Sequence, residues 1–195
     1  MSRTARLIHR HGHSDGAHGD DAPFEGAGAH RYDRMAWLMR PLYRRIAADI
    51  AAGTPYGARV LDIGTGPGRL LTALARRRPD LDLTGVDVSA AMVDIAAGHL
   101  AQFGDRARAV TGDAAGLPFP DDTFDLVVTS FSLHHWPDVP AAGAEIGRVL
   151  RPGGHLGVYD FARAPFDALT LDGRTGRRSR LPGRIPLHLV HRLVF

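Results

Sequence analysis

The sequence has no cysteine and no lysine, and each absence narrows the possible functions. Without cysteine, the chain can form no disulfide, no thiolate metal site and no cysteine nucleophile. All the strongly basic residues are arginines, which we attribute to a GC-rich genome rather than to chemistry. Long apolar runs are also missing: stretches such as residues 126–130 are far shorter than the roughly 20 residues that cross a bilayer. We therefore predict no membrane insertion.

The composition is typical of one soluble globular domain, with 44% hydrophobic and 23% charged residues in a chain of 195. Arg3, Arg6 and Arg10 are followed by no apolar segment, so we expect no secretory signal and a cytoplasmic location. A cluster of arginines between residues 174 and 192 could contact nucleic acid or acidic lipid. Because no aromatic residues are interleaved with these charges, we favour a solvated tail.

The chain divides into an N-terminal tail and one domain. Residues 1–28 are rich in His, Gly and Asp and poor in aliphatic residues, so we expect them to be disordered. Their histidines could bind zinc or nickel loosely, but nothing fixes a coordination shell, and we predict no specific metal. These histidines are His9, His11, His13 and His18. Residues 29–195 are predicted to form a single domain with its core at 57–161.

The apolar pattern predicts an α/β fold. In residues 32–52, apolar side chains recur at helical spacing, and Pro41 separates two helices or kinks one. From residue 59 onward, short apolar strands alternate with helical segments, which implies a mostly parallel sheet with helices on both faces. The predicted strands are 59–63, 81–86, 107–111, 124–129 and 155–159. The predicted helices are 66–78, 89–103 and 139–150.

A glycine-rich loop follows the first strand and opens a helix, as a nucleotide-type loop does. Its glycines, Gly64, Gly66 and Gly68, stand closer together than in the G-x-G-x-x-G pattern of dinucleotide sites. The strand also carries Asp62, which would repel a pyrophosphate and attract an ammonium group, directly or through the loop that it orders. The helix start suits a carboxylate. This loop therefore favours a ligand with an amino-acid end.

Two further acidic residues end strands at the same edge of the sheet. Asp87 closes the second strand, where a carboxylate can accept hydrogen bonds from both ribose hydroxyls. The alternative is that Asp87 only precedes the helix that Ser89 caps. Asp113 follows the third strand and could accept a hydrogen bond from an adenine amino group, although a Gly-Asp pair is also an ordinary turn.

Side chains that could reach an acceptor follow the fourth strand, at the edge where ligands bind in open α/β sheets. His134 and His135 are candidates for a general base or for substrate hydrogen bonding, although adjacent histidines can also be plain loop residues. Tyr159 is a further candidate base. An apolar acceptor pocket could be lined by Phe131, Trp136 and Trp37.

In their order along the chain, these motifs resemble the class I S-adenosylmethionine-dependent methyltransferases, and most closely the ubiquinone/menaquinone methyltransferase-like branch. The resemblance covers residues 31–161 and rests on segments 60–68, 83–87, 112–119, 124–136 and 148–154. It implies S-adenosylmethionine as cofactor and S-adenosylhomocysteine as product. The glycines would hold the methionine portion, and Tyr32 would close over the cofactor. The predicted cofactor-binding residues are Tyr32, Asp62, Gly64, Thr65, Gly66, Gly68, Asp87, Val88, Asp113, Ala114 and Ser130.

The resemblance implies methyl transfer to an O, N or C nucleophile of a small molecule. A membrane quinone is not implied, because residues 131–136 replace an Asn-containing loop of that branch. Only 35 residues follow Asp160, where the family continues with a helix and a hairpin. We therefore expect one late strand within 184–195 and a sheet edge that is reduced or borrowed from a partner subunit.

Three other functions stay open. A shortened C-terminal end would suit a non-catalytic regulatory protein that binds an adenosyl ligand. An RNA or DNA methyltransferase is disfavoured because the chain has no Asn-Pro-Pro-Tyr or Asp-Pro-Pro-Tyr motif. An NAD oxidoreductase fits the glycine spacing poorly. For partners, we expect a small-molecule acceptor rather than nucleic acid, and a homodimer stays open.

Overall fold

A computed structural model of the chain describes residues 27–171, 173–181 and 190–195. The predicted His-rich tail lies outside these ranges, except that residues 27 and 28 begin the first helix. The five helices of the described chain are α1 (Ala27–Leu38), α2 (Arg40–Gly53), α3 (Arg69–Arg77), α4 (Ala90–Leu100) and α5 (Val139–Val149). The strands are β1 (Arg59–Ile63), β2 (Asp82–Asp87), β3 (Ala107–Thr111), β4 (Phe124–Ser130), β5 (Leu150–Phe161), β6 (Thr170–Leu171), β7 (Arg174–Thr175), β8 (Arg177–Arg180) and β9 (Val190–Val194).

Seven of these strands form one sheet in the order β3-β2-β1-β4-β5-β9-β8. Strands β1 to β5 are mutually parallel, whereas β9 runs antiparallel to β5 and β8. Strands β6 and β7 form a separate pair. The predicted Rossmann-like α/β fold is confirmed, and the order of strands reverses beside β1, where open α/β sheets bind ligands.

The central strands bury both faces, which explains why they are apolar throughout. On β1, Val60 packs with α2 and α3 on one side, and Leu61 packs with α5 on the other. Side chains alternate between faces along a strand, so neighbouring residues contribute to different halves of the core. The two halves of the core pack helices against both faces of the sheet.

The N-terminal helices break at Met39, and Pro41 lies in the first turn of α2, where its missing N–H costs nothing. The predicted apolar stripe is right for α2, whose Ile46 and Ile50 are buried. It is wrong for α1, where Met35 and Leu38 are 54% and 70% exposed. The break rotates α1, so that its alanines rather than its large apolar residues face the protein.

The C-terminal segment completes the sheet instead of truncating it. We expected no room for a helix plus two strands, and a reduced edge. The chain instead supplies both antiparallel strands, β8 and β9, and replaces the helix, within the described residues, by a single 3-10 turn at Phe166–Ala168. Omission of the helix is what leaves enough residues for both strands. Residues 182–189 of the predicted late strand lie outside the described ranges.

Candidate functional site

A cavity of about 320 Å³ opens at the carboxyl edge of the sheet, where the predicted site residues converge. Eight of the residues predicted to bind the cofactor or to act as a base line it: Tyr32, Gly64, Gly66, Asp87, Val88, Asp113, Ala114 and His135. The other lining residues are Ile63, Ser89, Met92, Gly112, Ala115, Phe131, Ser132, Trp136, Pro137 and Asp138. The expectation that the ends of β1, β2 and β3 meet at one edge is therefore confirmed.

The glycine loop between β1 and α3 forms the floor of this cavity. Its three glycines have φ of +67°, +51° and +70°, a left-handed conformation that strains other residues. This turn also explains why α3 begins at Arg69, three residues later than predicted. A Cβ on Gly64 would lie 1.9 Å from Ser132 Oγ, so the space above that residue admits no side chain. The loop is fixed from below, since the N–H groups of Gly64 and Thr65 both donate to Val86 O.

Asp87 joins the loop to the end of β2. Its Oδ2 accepts a hydrogen bond from the Gly66 N–H at 2.7 Å, and its Oδ1 accepts one from the Ser89 N–H at 3.0 Å. Burial raises the pKa of Asp87, and the two hydrogen bonds only partly oppose that effect. Each carboxylate oxygen keeps a second lone pair, so this group can accept two further hydrogen bonds from a ligand in the cavity.

Asp62 lies beneath the loop and is fully buried. Thr65 Oγ1 donates to its Oδ2 at 2.9 Å, whereas its Oδ1 has no hydrogen-bond partner within the described chain. Burial raises the pKa of Asp62 to about 7, and the hydrogen bond from Thr65 opposes the shift. Asp62 and Thr65 do not line the cavity and instead order the loop from inside, as does Gly68, whose position a side chain would crowd against Ala96.

The far end of the cavity is bounded by Val88, Asp113 and Ala114. Val88 follows β2 with 58% of its surface exposed, and it offers an apolar wall. Asp113 Oδ1 accepts a hydrogen bond from the Ala115 N–H at 2.9 Å, and this bond closes the turn after β3. An aliphatic side chain and a polar turn therefore bound this end of the cavity.

The loop after β4 forms the opposite wall of the cavity. In this loop, Ser132 lines the cavity instead of the predicted Ser130. Ser130 is the last residue of β4 and is buried away from the cavity, whereas Ser132 lines it. Trp136 Nε1 donates to Ser132 Oγ at 2.8 Å, so these two side chains hold each other over the glycine loop. Phe131 adopts a left-handed φ of +56°, and its N–H donates to Tyr159 O. That strained turn aims the loop across the cavity.

The rings of His134 and His135 are in contact, with centroids 4.0 Å apart and planes inclined at 43°. His135 lines the cavity, and His134 lies behind it, against Asp160. His134 Nδ1 is 2.8 Å from Asp160 Oδ1. Asp160 is fully buried, and it also accepts hydrogen bonds from the backbone N–H groups of Phe161 and His134. Because an ionised carboxylate only accepts hydrogen bonds, this contact favours the neutral tautomer of His134 that has its proton on Nδ1 and its lone pair on Nε2.

Sequence reasoning missed Asp160, although the residue ends the predicted fifth strand at the ligand edge, which was the available signal. Two other assignments are wrong. Tyr159 is not a base at this site, because its hydroxyl donates to Asp49 Oδ2 at 2.8 Å under α2, and burial raises its pKa far above the usual range. Trp37 does not line the cavity but a separate groove beside α2 and α3.

Tyr32 covers the cavity from α1. A Cβ built on Gly66 would lie 3.8 Å from Tyr32 Cε1, so the aromatic ring stands directly over the glycine loop. Burial raises the pKa of the Tyr32 hydroxyl, with smaller contributions from Asp87 and Asp160, so the group is neutral at ordinary pH. The side chain therefore contributes a ring and a hydroxyl to the cavity without adding charge.

The chain is similar to proteins that are named as methyltransferases. A family model described as a methyltransferase domain matches residues 60–154. The demethylmenaquinone methyltransferase of Roseiflexus castenholzii is 41% identical over 135 residues, which are 68% of this chain and 56% of that protein. The demethylmenaquinone methyltransferase of Thermus thermophilus is 36% identical over 158 residues, which are 79% of this chain and 71% of that protein. The chain thus spans little more than half of the first relative.

A solved structure gives the same result for the fold. A protein from Methanococcus maripaludis, assigned as an S-adenosyl-L-methionine-dependent methyltransferase, is 34% identical and superimposes with a TM-score of 0.65. The match covers 73% of this chain and 67% of that one. Separately, none of the helices within the described ranges is long and apolar enough to cross a membrane.

Proposed function

Because the chain belongs to the class I S-adenosylmethionine-dependent methyltransferases, we propose that it transfers a methyl group from S-adenosylmethionine to an O, N or C nucleophile of a small molecule. The observation that carries this proposal is the position of the Asp87 carboxylate. It accepts a hydrogen bond from the Gly66 N–H, lines the cavity, and can accept further hydrogen bonds from a ligand. A carboxylate at the end of β2 suits a ribose with two vicinal hydroxyls.

We infer that the cofactor extends along the whole cavity, and the lining residues support one place for each of its parts. The amino-acid end would lie on the cradle at Gly64 and Gly66, which has no side chain in the way. An ammonium group there would be attracted by Asp62, whose buried Oδ1 otherwise lacks a hydrogen-bond partner in the described chain. The ribose hydroxyls would donate hydrogen bonds to the Asp87 carboxylate. The adenine would lie between Val88 and the turn at Asp113 and Ala114. Tyr32 would cover the bound molecule.

When bound, S-adenosylmethionine supplies a methyl group that its sulfonium already activates, so the protein needs no covalent intermediate. What the chain contributes is alignment and exclusion of water. Phe131 and Trp136, which both line the cavity, provide an apolar surface for the acceptor. Where the acceptor is a hydroxyl, His135 in the cavity or His134 behind it would take the proton, and Asp160 would hold His134 in the tautomer with its lone pair on Nε2.

The acceptor is proposed as a small, planar and mainly apolar molecule. The relatives named above are demethylmenaquinone methyltransferases, and the aromatic wall of this cavity is compatible with a ring system of that kind. A cytoplasmic location and a homodimer are further proposals, which cell fractionation and analytical ultracentrifugation test.

The test of function is turnover. The purified full chain is incubated with S-adenosylmethionine carrying a labelled methyl group and with a panel of phenols, naphthoquinols and amines. Labelled product and stoichiometric S-adenosylhomocysteine are expected with at least one acceptor, and Asp87→Ala is expected to lose both. The variant Asp82→Ala, which removes the carboxylate at the other end of β2, is the control. Tight binding of S-adenosylmethionine without product from any acceptor would favour a regulatory binder instead.

A further inference from the structure

Helix α1 has its small residues inside and its large apolar residues outside. Ala29 and Ala36 are buried against the protein, at 0% and 1% exposure. Met35, Trp37 and Leu38 are 54%, 51% and 70% exposed. An amphipathic surface helix normally shows the reverse, with its large apolar side chains in the core. Within the described ranges, the outward side chains of α1 therefore lack the protein contacts that would bury them.

These exposed side chains form one surface. At about 100° per residue, the outward positions of α1 fall within an arc of about 160°. They are His30, Arg31, Arg34, Met35, Trp37 and Leu38. Six large apolar or aromatic side chains are exposed in the ranges that the structure describes, and three of them lie in this arc. We call this set of six outward residues the α1 outer face.

An arginine-rich groove adjoins the α1 outer face and shares Trp37 with it. The groove, of about 460 Å³, contains five arginines, which are Arg40, Arg44, Arg69, Arg76 and Arg77. Arg69 is paired with Asp33, and the guanidinium of Arg40 lies over the Trp37 ring at 5.6 Å. Among the described residues, Arg44 and Arg77 have no carboxylate partner. We call this the arginine groove.

The two surfaces together distinguish between possible occupants. Arginines alone would suit any phosphate-bearing partner. Single-stranded nucleic acid would need several exposed aromatic platforms for its bases. Among the described residues of these two surfaces, Trp37 is 51% exposed whereas Tyr43 is only 6% exposed, and the aliphatic Met35 and Leu38 would gain nothing from base stacking. A bilayer surface uses all of these groups, because apolar side chains enter the acyl boundary while arginines reach lipid phosphates.

We propose that the α1 outer face and the arginine groove dock the protein peripherally on a bilayer that contains anionic phospholipid. Met35, Trp37 and Leu38 enter the boundary between headgroups and acyl chains, and Arg44 and Arg77 contact lipid phosphates. Tyr32, on the inner side of the same helix, lines the cofactor cavity, so docking brings that cavity to the membrane surface. The proposal goes beyond methyl transfer and does not depend on it.

The first test is vesicle flotation with the full chain. Binding is expected to vesicles of phosphatidylcholine mixed with phosphatidylglycerol, and not to phosphatidylcholine alone at physiological ionic strength. The double variant Met35→Ser/Leu38→Ser should weaken binding about tenfold or more, because it removes two side chains that would be buried in lipid. Tyr56→Ser is the matched control, since Tyr56 is 90% exposed elsewhere and should not matter.

A second pair of variants tests whether the arginine groove contacts lipid phosphates. Arg44→Ser/Arg77→Ser should weaken binding to anionic vesicles and reduce its dependence on salt. Arg163→Ser, at an exposed arginine after β5, is the matched control. A spectroscopic readout is also available, because the chain has two tryptophans. Anionic vesicles should shift the emission to shorter wavelength, and Trp37→Phe should abolish that shift.

Three results would overturn the proposal. The first is failure of the wild-type chain to float with anionic vesicles. The second is flotation that Met35→Ser/Leu38→Ser leaves unchanged. The third is a stable dimer in ultracentrifugation that the same double variant converts to monomer while vesicles do not bind, which would assign the α1 outer face to a second copy of the chain. Circular dichroism of each variant establishes that it is folded.

Discussion

The Asp87 carboxylate accepts a hydrogen bond from the Gly66 N–H at 2.7 Å, so the acidic end of β2 sets the conformation of the loop between β1 and α3. The residue predicted to bind a ribose therefore also shapes the cradle predicted to hold the amino-acid end of the same ligand. Loss of this carboxylate should affect both ends of the bound molecule at once.

Asp87→Ala should weaken the binding of S-adenosylhomocysteine by roughly 10- to 100-fold, because hydrogen bonds to a charged group are worth about 1.5–3 kcal/mol. Isothermal titration calorimetry measures the effect. Asp82→Ala, at the half-exposed start of β2, should bind like the wild type. Equal affinities for wild type and Asp87→Ala would remove the ribose assignment.

Gly64→Ala should destabilise the fold more than Gly57→Ala. Both glycines have φ near +70°, so both substitutions incur the left-handed strain of about 1–2 kcal/mol. Only at Gly64 does a Cβ meet another side chain, Ser132 Oγ at 1.9 Å, which adds an overpacking cost of about 1–3 kcal/mol. Urea denaturation compares the two variants, and Ser132→Gly should partly rescue Gly64→Ala. Equal losses in both variants would show that the loop has room for a side chain.

Asp62 should make stability depend on pH. Its pKa in the folded chain is raised to about 7, whereas in an unfolded chain it is about 4, so the folded state holds the proton more tightly. The resulting stability is complete below about pH 4 and is lost as the pH rises through about 7. Between pH 5 and 8, the wild type should lose about 2–3 kcal/mol more than Asp62→Asn. Urea denaturation across that range measures the difference, and parallel curves for the two proteins would contradict the raised pKa.

Asp160→Asn should change the tautomer of His134. The wild-type carboxylate holds the proton on Nδ1, at 2.8 Å from Asp160 Oδ1, whereas an asparagine can donate to that nitrogen instead. Long-range proton–nitrogen spectra of the imidazole rings report the tautomer directly, and the signals of the distant His155 serve as internal reference. Unaltered His134 signals in the variant would mean that Asp160 does not orient this ring.

Much of the fold could be predicted from the sequence, because the local pattern of apolar and turn residues agrees with the final structure over most of the sheet. Strands β1 and β3 have the predicted bounds, since each is a short apolar run between turn residues. The outward turn of Met35 and Leu38 could not be predicted, because helical spacing shows that one face is apolar but does not show which face packs. The inner side of α1, which carries Ala29, Tyr32 and Ala36, is set by contacts with the distant α4, with α2 and with the glycine loop.

Site residues could be predicted where a single motif at the end of a strand fixes their position. They could not be predicted where the contact joins two segments that are distant in the sequence. Gly64, Asp87 and Asp113 follow successive parallel strands, so their convergence follows from topology alone. The pairing of His134 with Asp160 joins residues 26 positions apart. It depends on the register of β4 with β5, which cannot be read from the sequence. Ser132 lines the cavity in place of Ser130 because the left-handed turn at Phe131 redirects the chain after β4.

A crystal structure of the chain with S-adenosylhomocysteine tests the central claim most directly. The account predicts the ligand in the cavity at the carboxyl edge, with its amino-acid end over Gly64 and Gly66, both ribose hydroxyls on the Asp87 carboxylate, and its adenine beside Val88 and Asp113. A ligand bound elsewhere, or a cavity that stays closed by Tyr32 and Trp136 at saturating ligand, would contradict it.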